Sequence, residues 1–560
     1  MTTKALTQPP PVSSSAAPLE SHCISFREIP QTTKLFLTFL EDFSKVSRYY
    51  SYAPTIDGLK KSAASIQLEP ETRRTVVEVL REQNTAFGSS EAAFKNLDRL
   101  ANGAVAVVTG QQVGLFGGPA YSIYKAITAA RYAAELTTQG VDCVPIFWLA
   151  TEDHDLAEID HTSWVTSKGL HEFKLEPVTE GLGRRVGEIV LGPKIQSLVS
   201  EAAATLEGPN SDAVAQALRE SYTAHDTFGS AFGKLTARLL AESGIILFDP
   251  LDHRLHQAAA KIYHRALDES ATLRDALIER SKELERGGFH AQVMVAREST
   301  LLFYNVDGRR ESLRERNGKF FAGKSSFTRE ELHAAIDREP EAFTPNVLLR
   351  PIVQDVLLPT AAYVGGPAEV AYMAQTEVVF KQLINRMPAI LARDSFTLIE
   401  PAVARLLTKY GLSFEDLFAG HQEVRTRIEQ SALPKALAKK FSAGEKSLAK
   451  LLAAYRDPLH KLDKTLVGAL NLAEKKMLYQ FSKLKGKAGR AENFRTGVLD
   501  RHERIIVDAL YPHRGLQERS LGALPYLALY GGELLSSLES FATEKDPNEH
   551  CSREHQIIVL

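Results

Sequence analysis

The stretch from Ala104 to Asp155, AVAVVTGQQVGLFGGPAYSIYKAITAARYAAELTTQGVDCVPIFWLATEDHD, constrains the fold more than any other part of this chain. It opens on a short apolar run of the kind a fully buried strand shows. A loop holding Gly110, Gly114, Gly117 and Gly118 comes next. Pro119 then stands where a helix would begin, a position that proline favours. Tyr121, Tyr124, Ile127, Ala130, Arg131 and Ala134 continue at helical spacing, and Gly140 ends the helix. The second apolar run, Val144 to Ala150, predicts the next parallel strand, which ends on Thr151-Glu152-Asp153-His154-Asp155. Strand, glycine loop, helix, strand and charged tip make one βαβ unit. Ligands of open α/β sheets bind beyond the carboxyl ends of the strands, so the charged tip marks the expected site.

At 560 residues the chain exceeds one ordinary core, which predicts two or three domains. Lys+Arg 67 against Asp+Glu 69 gives a net charge of −2, so the bulk charge points to no nucleic acid or other polyanionic partner. No apolar run reaches the roughly 18 residues of a membrane helix. The beginning of the chain lacks the apolar region of a secretory signal. Residues 1–25, rich in Pro, Ser and Thr, read as a disordered tail. Cys23, Cys143 and Cys551 lie far apart, which fits a reducing compartment and argues against a disulfide framework. The expected location is cytoplasmic.

Residues 26–397 read as an α/β core with insertions at about 160–345. Phe26 to Arg99 is helical in pattern, and His161 to Val190 suggests strands and turns. Ser211 to Ser243 carries two helices, Ile245 to Phe248 is a buried strand, and His253 to Arg286 reads as one long helix. Gln292 to Ala322 reads as antiparallel strands, QVMVA first, with Asp307-Gly308 as a hairpin turn. The sheet is expected to resume at NVLLRPIVQ, Asn346 to Gln354, and again at Met387 to Arg393. Between them, Gly365-Gly366-Pro367-Ala368 repeats the Gly117-Gly118-Pro119-Ala120 helix entry. Glycines allow a tight turn and close approach to a ligand, and a helix N-terminus offers free N–H groups to an anion.

Residues 398–500 read as a helical coiled-coil domain, and 501–560 as a segment returning to the core. Leu448, Leu452, Tyr455, Leu459, Leu462, Leu466, Leu470, Ala473, Met477, Phe481 and Leu484 advance in steps of three and four, an apolar seam that Pro458 interrupts. Lys435 to Arg490 holds 14 Lys/Arg against 4 Asp/Glu, either a solvated face or a basic wall attracting phosphates or carboxylates.

At the charged tip, a carboxylate beside His154 can orient the imidazole and raise its basicity, as a general base requires. Asp153, His154 and Asp155 are therefore the candidate catalytic residues. Mixed N/O ligands, with His161 joining, would instead suit a divalent ion, but the spacing matches no strong metal motif. The glycine loop is neither GxGxxG nor GxxxxGK[ST], so it indicates neither a dinucleotide nor a P-loop nucleotide site. No GxSxG elbow is present.

The blocks TGQQVGLFGGPAYSIYKA, PIFWLATEDHD, NVLLRPIVQDVLLPTAAYVGGPAEVAYMAQ and LQERSL resemble the BshC family, the cysteine ligase of bacillithiol biosynthesis. The resemblance covers nearly the whole chain after the tail. It implies a Rossmann-like parallel-sheet core related to nucleotidyltransferases and class I aminoacyl-tRNA synthetases. It also implies inserted connecting-peptide segments and a C-terminal α-helical coiled coil used for dimerisation. The implied reaction joins L-cysteine to glucosaminyl-malate through an amide on the glucosamine amine. The synthetase motif HxGH is missing at the first helix entry and no KMSKS is found, so the activating cosubstrate, ATP or another nucleotide, is left open. On this reading Asp153 and His154 would move protons or bind a metal. Thr109, Gly110, Gln111, Gln112, Gly114, Gly117, Gly118 and Tyr121 would hold an anionic group. Arg350, Gln354 and Arg393 would hold carboxylates, and Gly365 and Gly366 would repeat the first turn's contact. Two alternatives stand beside it: a nucleotide-binding coiled-coil scaffold with a degenerate α/β core, and a metal-dependent hydrolase built on Asp153, His154, Asp155 and His161.

Overall fold

In the computed structural model the apolar run after Ala104 is the middle strand of a five-stranded parallel sheet. The structure describes residues 20–176, 181–431, 433, 435–543 and 554–560. The sheet strands are β1 (Val105–Gln111), β2 (Cys143–Leu149), β3 (Ile246–Phe248), β4 (Thr360–Gly365) and β5 (Ala389–Ala392). They lie in the order β5-β4-β1-β2-β3, and every neighbouring pair is parallel. Read from the other edge this is the Rossmann order 3-2-1-4-5, whose switch point falls between β1 and β4. The strands are apolar because both faces are covered: all seven residues of β2 are buried. Helix α1 (Tyr121–Thr138) carries the chain from β1 to β2 as expected.

The sheet belongs to the larger of two compact units, Ser25–Ser395 with Gly515–His555. The inserted antiparallel sheet of this unit runs in the order Ser325–Phe327, Lys319–Ala322, Arg309–Arg316, Ser299–Val306, Phe343–Pro345. Asp307 and Gly308, with φ of 51° and 77°, make its hairpin turn, the conformation that an Asp-Gly pair favours.

Several expectations are corrected. Asn346 to Gln354 is not a strand: α2 spans Arg350–Leu357, with Pro351 in its first turn. A short apolar run cannot be told from a buried helix by pattern alone, and proline at the start was the missed cue. Gln292 to Ala296 forms no strand. His253 to Arg286 is two helices, His253–Asp268 and Ser270–Arg286, meeting at Glu269.

The smaller unit comprises Phe396–Arg514 with the segments Glu20–Ile24 and Gln556–Leu560. The strands Glu20–Ile24, His555–Val559 and Phe396–Ile399 form a sheet in that order. The expected tail lies outside the described residues as far as residue 19, and its last residues, from Glu20, are strand. Cys23 is disulfide-bonded, contrary to expectation. Cys143 is free, and burial pushes its thiol up to about 12.

The seam from Leu448 to Leu484 is not one helix. It is spread over Lys435–Ala453, Arg456–Leu462 and Leu466–Thr496, with Pro458 inside the short middle helix. The two long helices meet where Phe441 and Phe481 pack edge to face at 5.5 Å beside Gly444, which leaves room for the Phe481 ring. Leu452 and Leu470 are buried, while Leu451, Leu462, Leu472 and Leu484 remain more than half exposed.

Candidate functional site

At the switch point Thr109 Oγ1 donates to Val364 O at 2.9 Å, tying β1 to β4. Gly110 lets β1 pass β2, since a Cβ there would meet Trp148 O at 2.9 Å. Beyond these residues, Lys125 of α1 turns inward and is 3% exposed. Its Nζ donates to Gly110 O and Gln111 Oε1, both at 2.8 Å, and pairs with the Glu369 carboxylate. Glu369 lies in the first turn of α3 (Pro367–Leu383) and accepts from Gly366 N at 2.7 Å and Tyr363 OH at 2.5 Å. Burial lowers the Lys125 pKa, and the Glu369 charge opposes that shift. For Glu369, burial acts upward but is outweighed by Lys125 and the two donors, so its carboxyl sits low. A carboxylate of the chain itself thus occupies the N-terminus at the second GGPA turn.

Two guanidiniums flank this pair. Arg393 forks onto Glu518 at 2.9 and 2.5 Å, and Ser395 Oγ donates to the same carboxylate at 2.8 Å. Among the described residues Arg350 hydrogen-bonds only neutral partners: Gln354 Oε1 at 3.0 Å, Tyr372 OH at 3.1 Å and Tyr363 OH at 3.3 Å. No carboxylate hydrogen-bonds it among the described residues, and the fork geometry of arginine suits one. Gln111 Nε2 donates to Tyr121 OH at 3.1 Å, and the Arg393 guanidinium lies 5.4 Å from the centre of the Tyr121 ring.

The tip of β2 forms the adjoining wall. Gln112 Nε2 donates to Asp153 Oδ2 at 3.1 Å. Arg310, from the inserted antiparallel sheet, donates to His154 Nδ1 at 2.9 Å and lies 3.5 Å from Asp153 Oδ1. Thr344 Oγ1 and Pro345 O hold the rest of its fork at 2.8 and 2.9 Å, and Phe303 lies 3.7 Å beneath it. Burial pushes the Asp153 carboxyl up. The His154 and Gln112 hydrogen bonds and the Arg310 charge outweigh this and hold it well below the usual range. Glu152 is buried, and its carboxyl is pushed up to about 7 by burial. Asp155 is exposed, and His161 bonds Asp160 at 2.9 Å. Among the described residues no group of three His, Cys, Asp or Glu side chains is gathered to hold a metal ion. The hydrolase alternative therefore finds no assembled ligand set.

The glycine loop is closed on itself. Gly117 N–H donates to Tyr222 OH at 3.2 Å, Gly118 N–H to Leu115 O at 3.0 Å, and Gly114 N–H to Gln112 O at 2.9 Å. Gly117 and Gly118 take φ of 89° and 65°, and a Cβ on Gly114 would lie 2.9 Å from Gly118 Cα. These glycines serve the turn itself, which is drawn tight. Gly365 is equally confined: its Cβ would lie 2.9 Å from Glu369 Cβ.

Sequence reasoning missed Lys125, Glu369, Arg310, Glu518, Tyr363 and Tyr372. The signal for Lys125 was a lysine within the buried face of a helix, at Ile123, Tyr124, Ala126 and Ile127. For Arg310 it was the arginine pair directly after the Asp307-Gly308 turn, which a hairpin can carry back over the main sheet.

Two family models match the chain. The N-terminal Rossmann-like domain of bacillithiol biosynthesis BshC covers residues 19–394, and the C-terminal coiled-coil domain of BshC covers residues 396–560. The protein named "Putative cysteine ligase BshC" from Koribacter versatilis is 44% identical over 517 residues, spanning 92% of this chain and 96% of that one. Proteins of the same name from Solibacter usitatus and Chlorobaculum tepidum are 36% and 32% identical, over 96% and 84% of this chain and 99% and 88% of theirs. The parallel sheet and the helical second unit are the two parts those models describe, and the chain belongs to the BshC family of bacillithiol biosynthesis.

Proposed function

We propose that the chain is a carbon–nitrogen ligase that joins the carboxyl of L-cysteine to the amine of glucosaminyl-malate. The observation that carries this is the match to relatives named cysteine ligase over 92% of the chain, with 96% of the relative covered. The switch-point chemistry supports it. Arg350, hydrogen-bonded to neutral groups, suits a substrate carboxylate, and the carboxylates of the β2 tip suit an ammonium. Amide formation requires an activated carboxyl, loss of a proton from the ammonium, and departure of the activating group as the C–N bond forms. The first loop's amides are engaged within the chain and no nucleotide motif accompanies them, so the activating cosubstrate is part of the test. Product analysis by mass spectrometry, with cysteine and glucosaminyl-malate, with and without ATP, should reveal the cysteinyl amide under at least one condition. No condensation product under any condition overturns the reading.

The same proposal includes a homodimer working in the cytoplasm. Leu462 at 78% exposure, with Leu451 and Leu472 at 56% each, leaves an apolar face on the helices of the smaller unit. Burying each such leucine is worth about 1.5–3 kcal/mol, and a two-fold partner using the same face is the simplest cover. Light scattering at micromolar concentration tests it, and a monomeric mass removes the dimer.

A further inference from the structure

Glu152 is the anomaly of the β2 tip. Its carboxylate accepts no hydrogen bond among the described residues, and its ion-pair neighbour is His256, whose Nε2 lies 3.4 Å from Oε1. His256 is 2% exposed, and its Nε2 is sealed without a hydrogen-bond partner. The opposite ring nitrogen, Nδ1, lies 3.1 Å from Tyr263 OH. The Tyr263 hydroxyl is buried and holds its proton firmly. A hydroxyl donating into Nδ1 leaves the ring hydrogen on Nε2, the nitrogen beside Glu152, though not aligned for a hydrogen bond to it. Unlike that nitrogen, the Glu152 oxygens are not among the sealed unpartnered atoms.

The neighbours of the tip count against Asp153 and His154 as proton acceptors. Asp153 accepts from Gln112 and from the His154 backbone and faces Arg310, so it is a fixed anion and a weak base. The Nδ1 lone pair of His154 is spent on Arg310. The charges acting on Glu152 are Arg310, Arg185 and Arg350, which favour its ionised form, and Asp249, which opposes it. His256 is kept neutral by burial and by Arg185.

We infer that Glu152 is the general base of the proposed ligation, taking the proton of the substrate ammonium, with His256 as a positioning residue that orients its carboxylate. This rests on the ligase reading above. The ammonium gives one proton to Glu152, the freed amine nitrogen forms the C–N bond with the activated cysteine carboxyl, and the activating group leaves with its electron pair and carries off the second proton that the nitrogen sheds. Glu152 then returns the proton to solvent through the crevice. A carboxyl held near neutrality suits this task, since a base works best when its pKa lies near the working pH.

The test compares wild type, Glu152→Gln and His256→Phe under whichever condition gives product with the wild type. Glu152→Gln, nearly isosteric, should lower kcat by at least about 100-fold and remove the rise of kcat/KM with pH near neutrality. His256→Phe should retain activity with that rise displaced to higher pH. Infrared difference spectra between pH 6 and pH 8, taken without substrate, should contain a protonated-carboxyl band in wild type that is lost in Glu152→Gln. A wild type that makes no product overturns the ligase reading and this inference with it. An active wild type, with Glu152→Gln equally active and the same pH profile, overturns the base assignment alone. So does an unchanged infrared band in the folded variant.

Discussion

Removing the charge of Lys125 should destabilise the larger unit by about 3–5 kcal/mol at pH 8, because it strands a buried carboxylate. In Lys125→Met, Glu369 keeps Tyr363 OH and Gly366 N as donors but loses the cation that pairs with it. Its folded pKa should then rise above the unfolded value, since burial already acts in that direction. Such a group weakens the fold as pH rises from the unfolded pKa toward the folded one. The deficit of Lys125→Met should therefore be large at pH 8 and smaller at pH 5. Glu369→Gln does the reverse. It strands an ammonium whose folded pKa burial depresses, so stability rises with pH and the deficit shrinks toward pH 9. The double variant Lys125→Met/Glu369→Gln leaves no stranded charge, and should recover at least ~2 kcal/mol relative to the sum of the singles. For a unit of roughly 400 residues, at ~2.1 cal/mol/K of unfolding entropy per residue, ~4 kcal/mol corresponds to a fall in Tm of ~5 °C. Calorimetry of the four proteins between pH 5 and 9 decides. Additive losses, or the same pH slope in both singles, would refute the argument.

Neighbouring contacts yield three shorter predictions. Gly110→Ala should cost about 1–3 kcal/mol through overpacking, because its Cβ would press on Trp148 O at 2.9 Å; an unchanged melting curve would mean that β1 and β2 can separate without cost. Glu152→Gln should stabilise the protein by up to ~3 kcal/mol above pH 7, and by nothing below about pH 4.5. The sense arises because burial raises the folded carboxyl from 4.5 to about 7, and the native state loses stability as pH climbs between those values; a pH-independent difference would contradict it. Arg310→Met should lower kcat/KM by at least ~10-fold while the inserted hairpin stays folded, since it releases both Asp153 and His154; full activity in the folded variant would exclude Arg310 from the site.

The βαβ unit from Ala104 to Asp155 was legible because its determinants are local. Apolar runs, a proline at a helix start and a charged strand tip each act within a few residues, and the strand, helix and strand lie where those signals fall. The Asp307-Gly308 hairpin was legible for the same reason. Asn346 to Gln354 was not: the apolar residues that read as a strand are the buried residues of a helix, and Pro351 was the only local sign. The candidate site was legible by region more than by residue. Arg350, Arg393, Gln111 and Asp153 line the predicted edge, while the glycines beside them shape the turn.

The sequence by itself determined the parallel sheet, its middle strand and the strand ends that carry the candidate site, because hydrophobic period and turn residues encode these directly. Only the tertiary structure decided how the charges divide. Glu369 reaches Lys125 and Glu518 reaches Arg393 from segments 244 and 125 residues away along the chain, so these two cations are ion-paired while Arg350 hydrogen-bonds neutral groups. Arg310 comes to His154 across 156 residues, and His256 comes to Glu152 across 104. A charge in a fold acquires its pKa and its role from whatever the packing places within a few ångströms, and no spacing in the sequence records that distance.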